Sequence, residues 1–372
     1  LFLAMTLAAL FHLRWVRRLP SVKFVTTRFD VSPEPRCSVV VAARDEEARI
    51  ESTVAHLLAQ FGVAVEVIVV DDRSTDRTGE ILRRLAAADA RLRVRRIDSL
   101  PDGWLGKCHA CHVGAGVATG DWILFTDADC WLKPDVIARA LGVAKRDDAD
   151  HITLTPGIGP ETLGAQAWHL AFLMSLSDWI SGVNRDRPKR YLGMGAFNLV
   201  RASAYRECGG YEALRLTVLD DVRLGLLLRR AGKRTRGFIG GDDTECHWGN
   251  TVGSMIKVME KNYFAAIDYR AAPAVGLGIG GTLLWLAAFV GPFTGTVAGT
   301  AAGIALLSLM LPAGIVARRL SWSLRSAVAT PFIYPALFYA VLNSAFKTLH
   351  QGGIRWRDTF YPLDALRAGT VR

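Results

Sequence analysis

The stretch VIVVDDRSTD, residues 67–76, decides the fold: four β-branched residues run into two acids, Asp71 and Asp72, and then into Ser74, Thr75 and Asp76. An uninterrupted β-branched run is expected of a strand covered on both faces, as in a parallel sheet. Small polar residues directly after it are natural helix caps. WILFTDADC, residues 122–130, repeats the arrangement with Asp127 and Asp129. LTVLDDVRLG, residues 216–225, sets Asp220 and Asp221 before a leucine-rich helix.

Working outward, strands and helices alternate. SVVVAAR (38–44) is a strand, followed by a helix opening on Asp45, Glu46 and Glu47 and running to Gln60, with the acids in its first turn suiting the helix dipole. VEVIVVDD (65–72) precedes a helix through Ala88, and RLRVRRI (91–97) is a third strand. The loop LPDGWLGK (100–107) leads into a helix over Cys108–Ala118; DWILFTD (121–127) is a fourth strand, and Pro134 suits the first turn of the next helix. This alternation predicts an α/β layer architecture with a largely parallel sheet. Beyond residue 150 come the strand HITLTP (151–156), an apolar helix over 161–180 with Trp168 and Trp179, the segment GMGAFNLVR (193–201), and strands near Thr235 and Thr244. The 161–180 helix reads equally as lying on a bilayer surface or as buried core. Thr251–Arg270 reads as a second interfacial helix with Lys257 and Lys261 on its polar side.

The 372 residues are 51% hydrophobic, with the excess at the two ends, and carry a net charge of +10. No basic stripe interleaves with aromatics, so the charge is assigned to anionic lipid headgroups and no nucleic-acid partner is expected. LFLAMTLAALFHLRW is short for a span and is read as the end of an anchor whose start precedes Leu1. A signal peptide is the rival reading, but Arg14, Arg17, Arg18 and Lys23 follow the run, which suits a helix ending in the cytoplasm. Apolar segments at about 274–291, 293–312 and 328–346 approach spanning length, the first two forming a hairpin at Pro292. An anchor plus three spans would put Arg355 and Arg357 outside, against the positive-inside tendency, and leaves open whether one segment does not span. The expected organisation is anchor and basic linker (1–36), catalytic domain (37–250), then interfacial helix, membrane helices and basic tail (251–372). Cys37, Cys108, Cys111, Cys130, Cys208 and Cys246 show no framework spacing, which points to free thiols in a reducing compartment.

In open α/β sheets ligands bind beyond the carboxyl ends of the strands, where Asp71, Asp72, Asp127 and Asp129 fall. A nucleoside diphosphate carries charge that a divalent cation must offset, and carboxylates suit Mg²⁺ or Mn²⁺. Taken singly, such acids are as often caps and solvated turns. Convergence of several is what marks a site.

VVVAARDEE, VIVVDDRSTDRT, LPDGWLGKCHA, ILFTDADC and LDDVRLGLLLRRAG together resemble, in order, the family-2 glycosyltransferases over roughly residues 37–250. The flanking helices resemble the membrane-bound branch, and GWLGK is similar to lipid-directed members such as hopanoid-associated, carotenoid and, more distantly, ceramide glycosyltransferases. The resemblance implies a GT-A-like, Rossmann-type mixed, mostly parallel sheet with helices on both faces, plus transmembrane helices. It implies a UDP- or GDP-sugar donor, a divalent metal and inversion at the anomeric carbon. By position, Ala43, Arg44 and Glu46 would line the nucleoside pocket, and Asp71 or Asp72 would contact base or ribose. Lys107 would approach base or diphosphate. Asp127 and Asp129 would hold ribose and metal–diphosphate, and Asp221 would be the general base. Direct displacement with inversion independently needs a base for the acceptor hydroxyl proton, and a carboxylate at a helix start can serve. Processive relatives carry Gln-x-x-Arg-Trp after the base. ECHWGNTVGSMIKVMEKN (245–262) lacks it, which implies transfer of one sugar. His247 is a candidate metal ligand or a structural histidine.

The predicted protein is thus a multi-pass enzyme of the cytoplasmic membrane, its catalytic domain facing the cytoplasm and its acceptor a lipid. A catalytically silent scaffold and a nucleotidyl- or phosphosugar-transferring enzyme are the rivals. Two further motifs are set aside. Cys108–His112 has the Cys-x-x-Cys-His spacing of haem attachment but sits inside the α/β alternation, and VGAGVATG (113–120) puts its glycines late in a helix, the wrong order for a dinucleotide turn.

Overall fold

A computed structural model describes Arg14 and residues 35–159, 162–247 and 249–371. The expected N-terminal anchor falls almost wholly outside the described residues.

Eight strands form one mixed sheet: β1 Arg36–Ala43, β2 Ala64–Asp72, β3 Leu92–Ile97, β4 Trp122–Asp127, β5 Cys130–Leu132, β6 His151–Ile158, β7 Asn198–Arg201 and β8 Thr235–Cys246. Their order is β3-β2-β1-β4-β7-β6-β8-β5. β1 through β4 pair in parallel, β7 runs antiparallel between β4 and β6, and β6 and β8 are parallel again. The strands expected near Thr235 and Thr244 are one bulged strand. Val39, Val41, Val67 and Val69 are fully buried beneath α1 Ile50–Leu58, α2 Thr78–Ala88 and α4 Val136–Arg146 on one face, and α3 Gly106–Gly116 covers the other. That double cover is why the strands lack polar alternation.

The first helix does not begin at Asp45. Asp45 is left-handed (φ 53°), and α1 starts only at Ile50. The acids instead interlock two loops: Asp45 N–H donates to Ser74 Oγ (3.0 Å), Thr75 N–H to Asp45 Oδ1 (2.8 Å), Glu46 N–H to Thr78 Oγ1 (2.8 Å) and Arg77 N–H to Glu47 Oε2 (3.0 Å). This lattice fixes the ends of β1 and β2 beside each other.

α5, Leu163–Val183, is a buried helix, with Trp168 1% exposed, so the core reading of this segment holds. After α6 Ala202–Glu207 and α7 Asp220–Arg230, residues 252–266 break into α8 Val252–Met259 and α9 Asn262–Ala266. Among the described residues three helices are long and apolar enough to cross a membrane: α10 Ala271–Thr294, α11 Val297–Arg319 and α12 Leu324–Gln351, with mean hydropathies of 1.8, 2.0 and 1.2. α10 and α11 form the expected hairpin, reversing at left-handed Gly295 and exposing Leu283, Leu284, Phe293 and Val297. α11 ends against the sheet domain, where Val316, Ala317 and Leu320 join Leu170, Leu173 and Ile239. α12 begins in that same cluster at Ala327 and ends beside α9, where Ser344 Oγ bridges Phe264 N–H (2.9 Å) and Glu260 C=O (2.6 Å).

The tail then returns to the sheet domain. β9 Gly353–Trp356 and β10 Thr359–Pro362 form a hairpin, and α13 Leu363–Gly369 follows. Ile354, Tyr361 and Leu366 share a core with Leu105, Ile123 and Leu224.

The expectation of free thiols is corrected at one pair. Antiparallel pairing of β5 with β8 puts Cys130 opposite Cys246, 116 residues away, and the two form a disulfide. Cys37, Cys108, Cys111 and Cys208 are free. Cys108 and Cys111 face the core from α3, so the Cys-x-x-Cys-His spacing is a helix face, as expected.

Candidate active site

The carboxyl ends of β1, β2 and β4 open into one cleft of about 1000 Å³. Ala43, Arg44, Glu46, Asp72, Lys107, Asp127, Asp129 and Asp221 all line it, brought together from five separate strand and helix ends. Asp71 and His247 do not line it.

The centre is a lysine among acids. Lys107, in the first turn of α3, lies 2.6 Å from Asp127 Oδ1 and 3.7 Å from Asp220 Oδ1. Burial works against its charge, but Asp127, Asp220 and Asp221 together hold its pKa well above the ordinary lysine value. Asp220 is fixed from behind by the Tyr211 hydroxyl (3.0 Å). Asp221 accepts Gly195 N–H at Oδ2 (2.7 Å) and Val222 N–H at Oδ1 (2.8 Å). Burial, and then the neighbouring Asp220 charge, push its pKa up to about 6. A carboxylate ionised at neutral pH yet more basic than usual is what general-base work needs.

Asp129 is pushed up to about 7, by burial first and then by Asp127 and Glu46. Glu46 is also raised, chiefly by burial. An excess of carboxylate charge with hard oxygen donors is a setting that Mg²⁺ or Mn²⁺ relieves, so Asp127 and Asp129 fit such an ion. The disulfide flanks this spot, with Cys130 Sγ 3.7 Å from Asp129 Oδ1.

The doublet at the end of β2 divides its labour. Asp72 lines the cleft and chelates Arg73 Nε (2.7 Å) and Nη2 (3.1 Å). Asp71, 1% exposed, accepts Arg96 Nη1 (2.5 Å) and Ser74 N–H (3.1 Å), and so ties β2 to β3. Neighbouring strand residues face opposite ways, which is why both cannot reach one ligand. His247 packs against Trp131 with the rings tilted at 45° (3.8 Å between centroids), and its Nε2 is 3.3 Å from Glu245. Burial lowers its pKa, and its backbone N–H donates to Asp129 C=O (2.9 Å).

Several cleft residues carried no role in the sequence reading. A Cβ on Gly195 would lie 2.5 Å from Asp127 Oδ2 and 3.2 Å from Lys107 Nζ, and one on Gly193 would strike the Asp221 carbonyl. The glycine pair in GMGAF is the local signal of that close approach. Lys257 and Lys261 both line the cleft, Lys261 half-buried and Lys257 exposed. The tail hairpin supplies Trp356 and Arg357. Arg357 Nη2 meets Glu46 (3.1 Å), and Asp358 meets Arg44 (2.5 Å). The other end of the cleft is apolar and aromatic, with Phe172, Leu176 and Trp179 of α5 and Tyr191 and Met194 after it.

Comparison with known proteins agrees with this geometry. Residues 38–209 match Glycosyl transferase family 2. A 4,4'-diaponeurosporenoate glycosyltransferase of Staphylococcus haemolyticus is 36% identical over 104 residues, 28% of this chain and 27% of that protein. Its namesake in Staphylococcus aureus is 37% identical over 101 residues, 27% of this chain and 26% of that protein. The alignments thus span about a quarter of these relatives. Among solved structures, a mannosyltransferase of Pyrobaculum calidifontis, in complex with GDP-Man and Mn²⁺, superposes with a TM-score of 0.53 at 19% identity, covering 94% of this chain and 99% of that one. That superposition shows the GT-A-type fold expected from the resemblance. Residues 38–209, which hold the acidic strand ends of β1, β2 and β4 gathered in one cleft, are thus a segment similar to glycosyl transferase family 2.

Proposed function

We propose that the chain transfers one sugar, with inversion, from a UDP- or GDP-sugar to a lipid acceptor at the cytoplasmic face of a membrane. One observation carries the reading: Lys107, Asp127, Asp129 and Asp221 meet in a cleft that runs on into an apolar aromatic wall on α5, beside the apolar helices. In this reading the donor's nucleoside lies toward Glu46, Arg44 and Asp72, and its diphosphate toward Asp127 and Asp129. A Mg²⁺ or Mn²⁺ ion held by Asp127 and Asp129 would supply charge neutralisation for the departing diphosphate. Lys107 adds a fixed positive charge at the same place. Asp221, held by two backbone N–H groups, takes the proton of the acceptor hydroxyl as that oxygen attacks the anomeric carbon. Phe172, Leu176 and Trp179 would hold the acceptor's apolar body.

Connectivity supports one membrane arrangement. α9 and the tail hairpin both pack on the sheet domain, so an even number of the three apolar helices cross. The exposed α10–α11 hairpin makes the two crossings, and α12 lies along α5 with both ends at the domain. Arg318 and Arg319 then sit on the cleft side, as the positive-inside tendency asks of a cytoplasmic face.

The test is incubation of the full chain in membranes with labelled UDP- and GDP-sugars and Mn²⁺, followed by lipid extraction and assignment of the anomeric configuration by NMR. A labelled lipid of inverted configuration with release of nucleoside diphosphate is expected. Release of pyrophosphate would favour a nucleotidyl transferase, and absence of both products with every donor would favour the silent scaffold.

A further inference from the structure

The two walls of the cleft carry opposite charge. The sheet wall holds Glu46, Asp72, Asp127, Asp129, Asp220 and Asp221 against Lys107 and three arginines already paired, Arg44 with Asp358, Arg73 with Asp72 and Arg223 with Asp268. The facing wall, from α8 to α9 and the tail hairpin, holds Lys257 and Lys261. The acids on these elements are already engaged, Glu260 accepting Lys347 Nζ (2.5 Å) and Asn343 Nδ2 (3.1 Å) and Asp358 meeting Arg44 (2.5 Å). Among the described residues no carboxylate comes within ion-pair distance of Lys261 or Lys257. Lys261 Nζ instead lies 3.4 Å from the centre of the Trp356 ring, on a strand that follows it by almost a hundred residues.

A desolvated cation without a counter-ion is costly, and an indole face offsets only part of that cost. Burial first, and then the nearby Lys107 charge, bring the Lys261 pKa down to about 8. An anion arriving in the cleft removes the penalty. The sheet wall is too acidic to receive a diphosphate except through a bound cation, so the diphosphate needs positive charge on its other side. Trp356 holds Lys261 at that place, and Arg357 on the same hairpin anchors it through Glu46.

Resting on the donor reading above, we propose that Lys261, clamped on Trp356 and supported by Lys257, is a diphosphate-positioning residue, and that the tail hairpin is thereby a structural part of the donor site. The nucleotide's diphosphate is held between the cation-binding carboxylates of the sheet and a lysine that only the returning tail fixes in place.

The experiment is calorimetric titration of the full chain in detergent with UDP, GDP, UMP and GMP in the presence of Mn²⁺, for wild type, Lys261→Ala, Lys261→Arg and Trp356→Ala. Losing one charge-assisted phosphate contact weakens binding about tenfold to a hundredfold. Lys261→Ala is expected to weaken the diphosphate that wild type prefers by that factor while changing the matching monophosphate less than twofold. Lys261→Arg keeps most of the affinity, and Trp356→Ala loses an intermediate amount. Melting temperatures near wild type exclude misfolding, which is expected because half-buried Lys261 has no ion-pair partner to lose. If wild type binds a diphosphate and Lys261→Ala binds it equally, the subsite is wrong and the donor reading stands, even where acceptor KM alone has changed. If wild type binds neither diphosphate, the donor reading falls and the subsite falls with it.

Discussion

Replacing Asp221 by Asn separates the carboxylate's chemistry from its place in the fold. A base whose pKa is about 6 is ionised in roughly nine molecules of ten at pH 7 and in roughly one of ten at pH 5. Wild-type kcat/KM should therefore rise about tenfold per pH unit up to about 6 and then level, whereas an ordinary carboxylate would keep the rate flat down to about pH 4. Removing the base should cost about 10²–10⁴ in rate. Stability moves the other way. The folded pKa is raised above the ordinary 3.8, so the native state binds the proton more tightly than the unfolded chain does. The Asp221 contribution to stability is thus greatest below about pH 4, falls as pH rises to about 6, and is constant above that. The shift of about two units puts the cost of the ionised group at roughly 3 kcal/mol, less what water in the open cleft screens. Asparagine removes that cost but sets an N–H₂ against one of the two backbone donors, Gly195 or Val222. The lost bond costs about 1–3 kcal/mol. The two terms nearly cancel, so Asp221→Asn should melt within a few degrees of wild type while losing at least 99% of transfer. The assay is nucleoside diphosphate release across pH 4.5–8, beside thermal unfolding in the same detergent. A variant keeping a tenth of wild-type activity, or a wild-type profile flat through pH 5–7, would refute Asp221 as the base.

Chelation by EDTA should abolish transfer by wild type, and added Mn²⁺ should restore it; Asp129→Asn should stay inactive at Mn²⁺ concentrations that saturate wild type, and full rescue of that variant would remove Asp129 from the metal site. Asp71→Asn should lower stability by about 2 kcal/mol, because it breaks a buried ion pair with the partly exposed Arg96, without changing nucleotide affinity of the folded chain. Chemical unfolding and nucleotide titration separate the two, and weaker affinity at unchanged stability would place Asp71 in the donor pocket. Gly195→Ala should fold but lose at least tenfold in kcat/KM, since its methyl displaces Asp127 from Lys107; wild-type kinetics would show that the contact is dispensable.

The local chain wrote down the strands, the helices and the acids between them, because each βα unit buries both faces of its strand and must end in a loop at the sheet's edge. Residues 38–44, 67–72 and 122–127 say this without help, and the Asp221 helix announces itself by its acidic first turn. Apolar length likewise marked α10, α11 and α12 as candidate spans. The same acids misled at Asp45–Glu47, where the residues that favour a helix start also make good loop brackets and the partner loop lies thirty residues on.

Tertiary structure decided what depended on residues far apart in the chain. Asp71 and Asp72 are alike as letters, and the pleat turns one toward Arg96 and the other into the cleft. Cys130 and Cys246 meet only because β5 pairs with β8. Lys261 and Trp356, and Glu46 and Arg357, become neighbours when three apolar helices return the tail to the domain it left. Short-range pattern records backbone hydrogen bonding and burial, which act within a few residues. Which side chains share a cavity is set by chain return, and no local window of sequence holds that information.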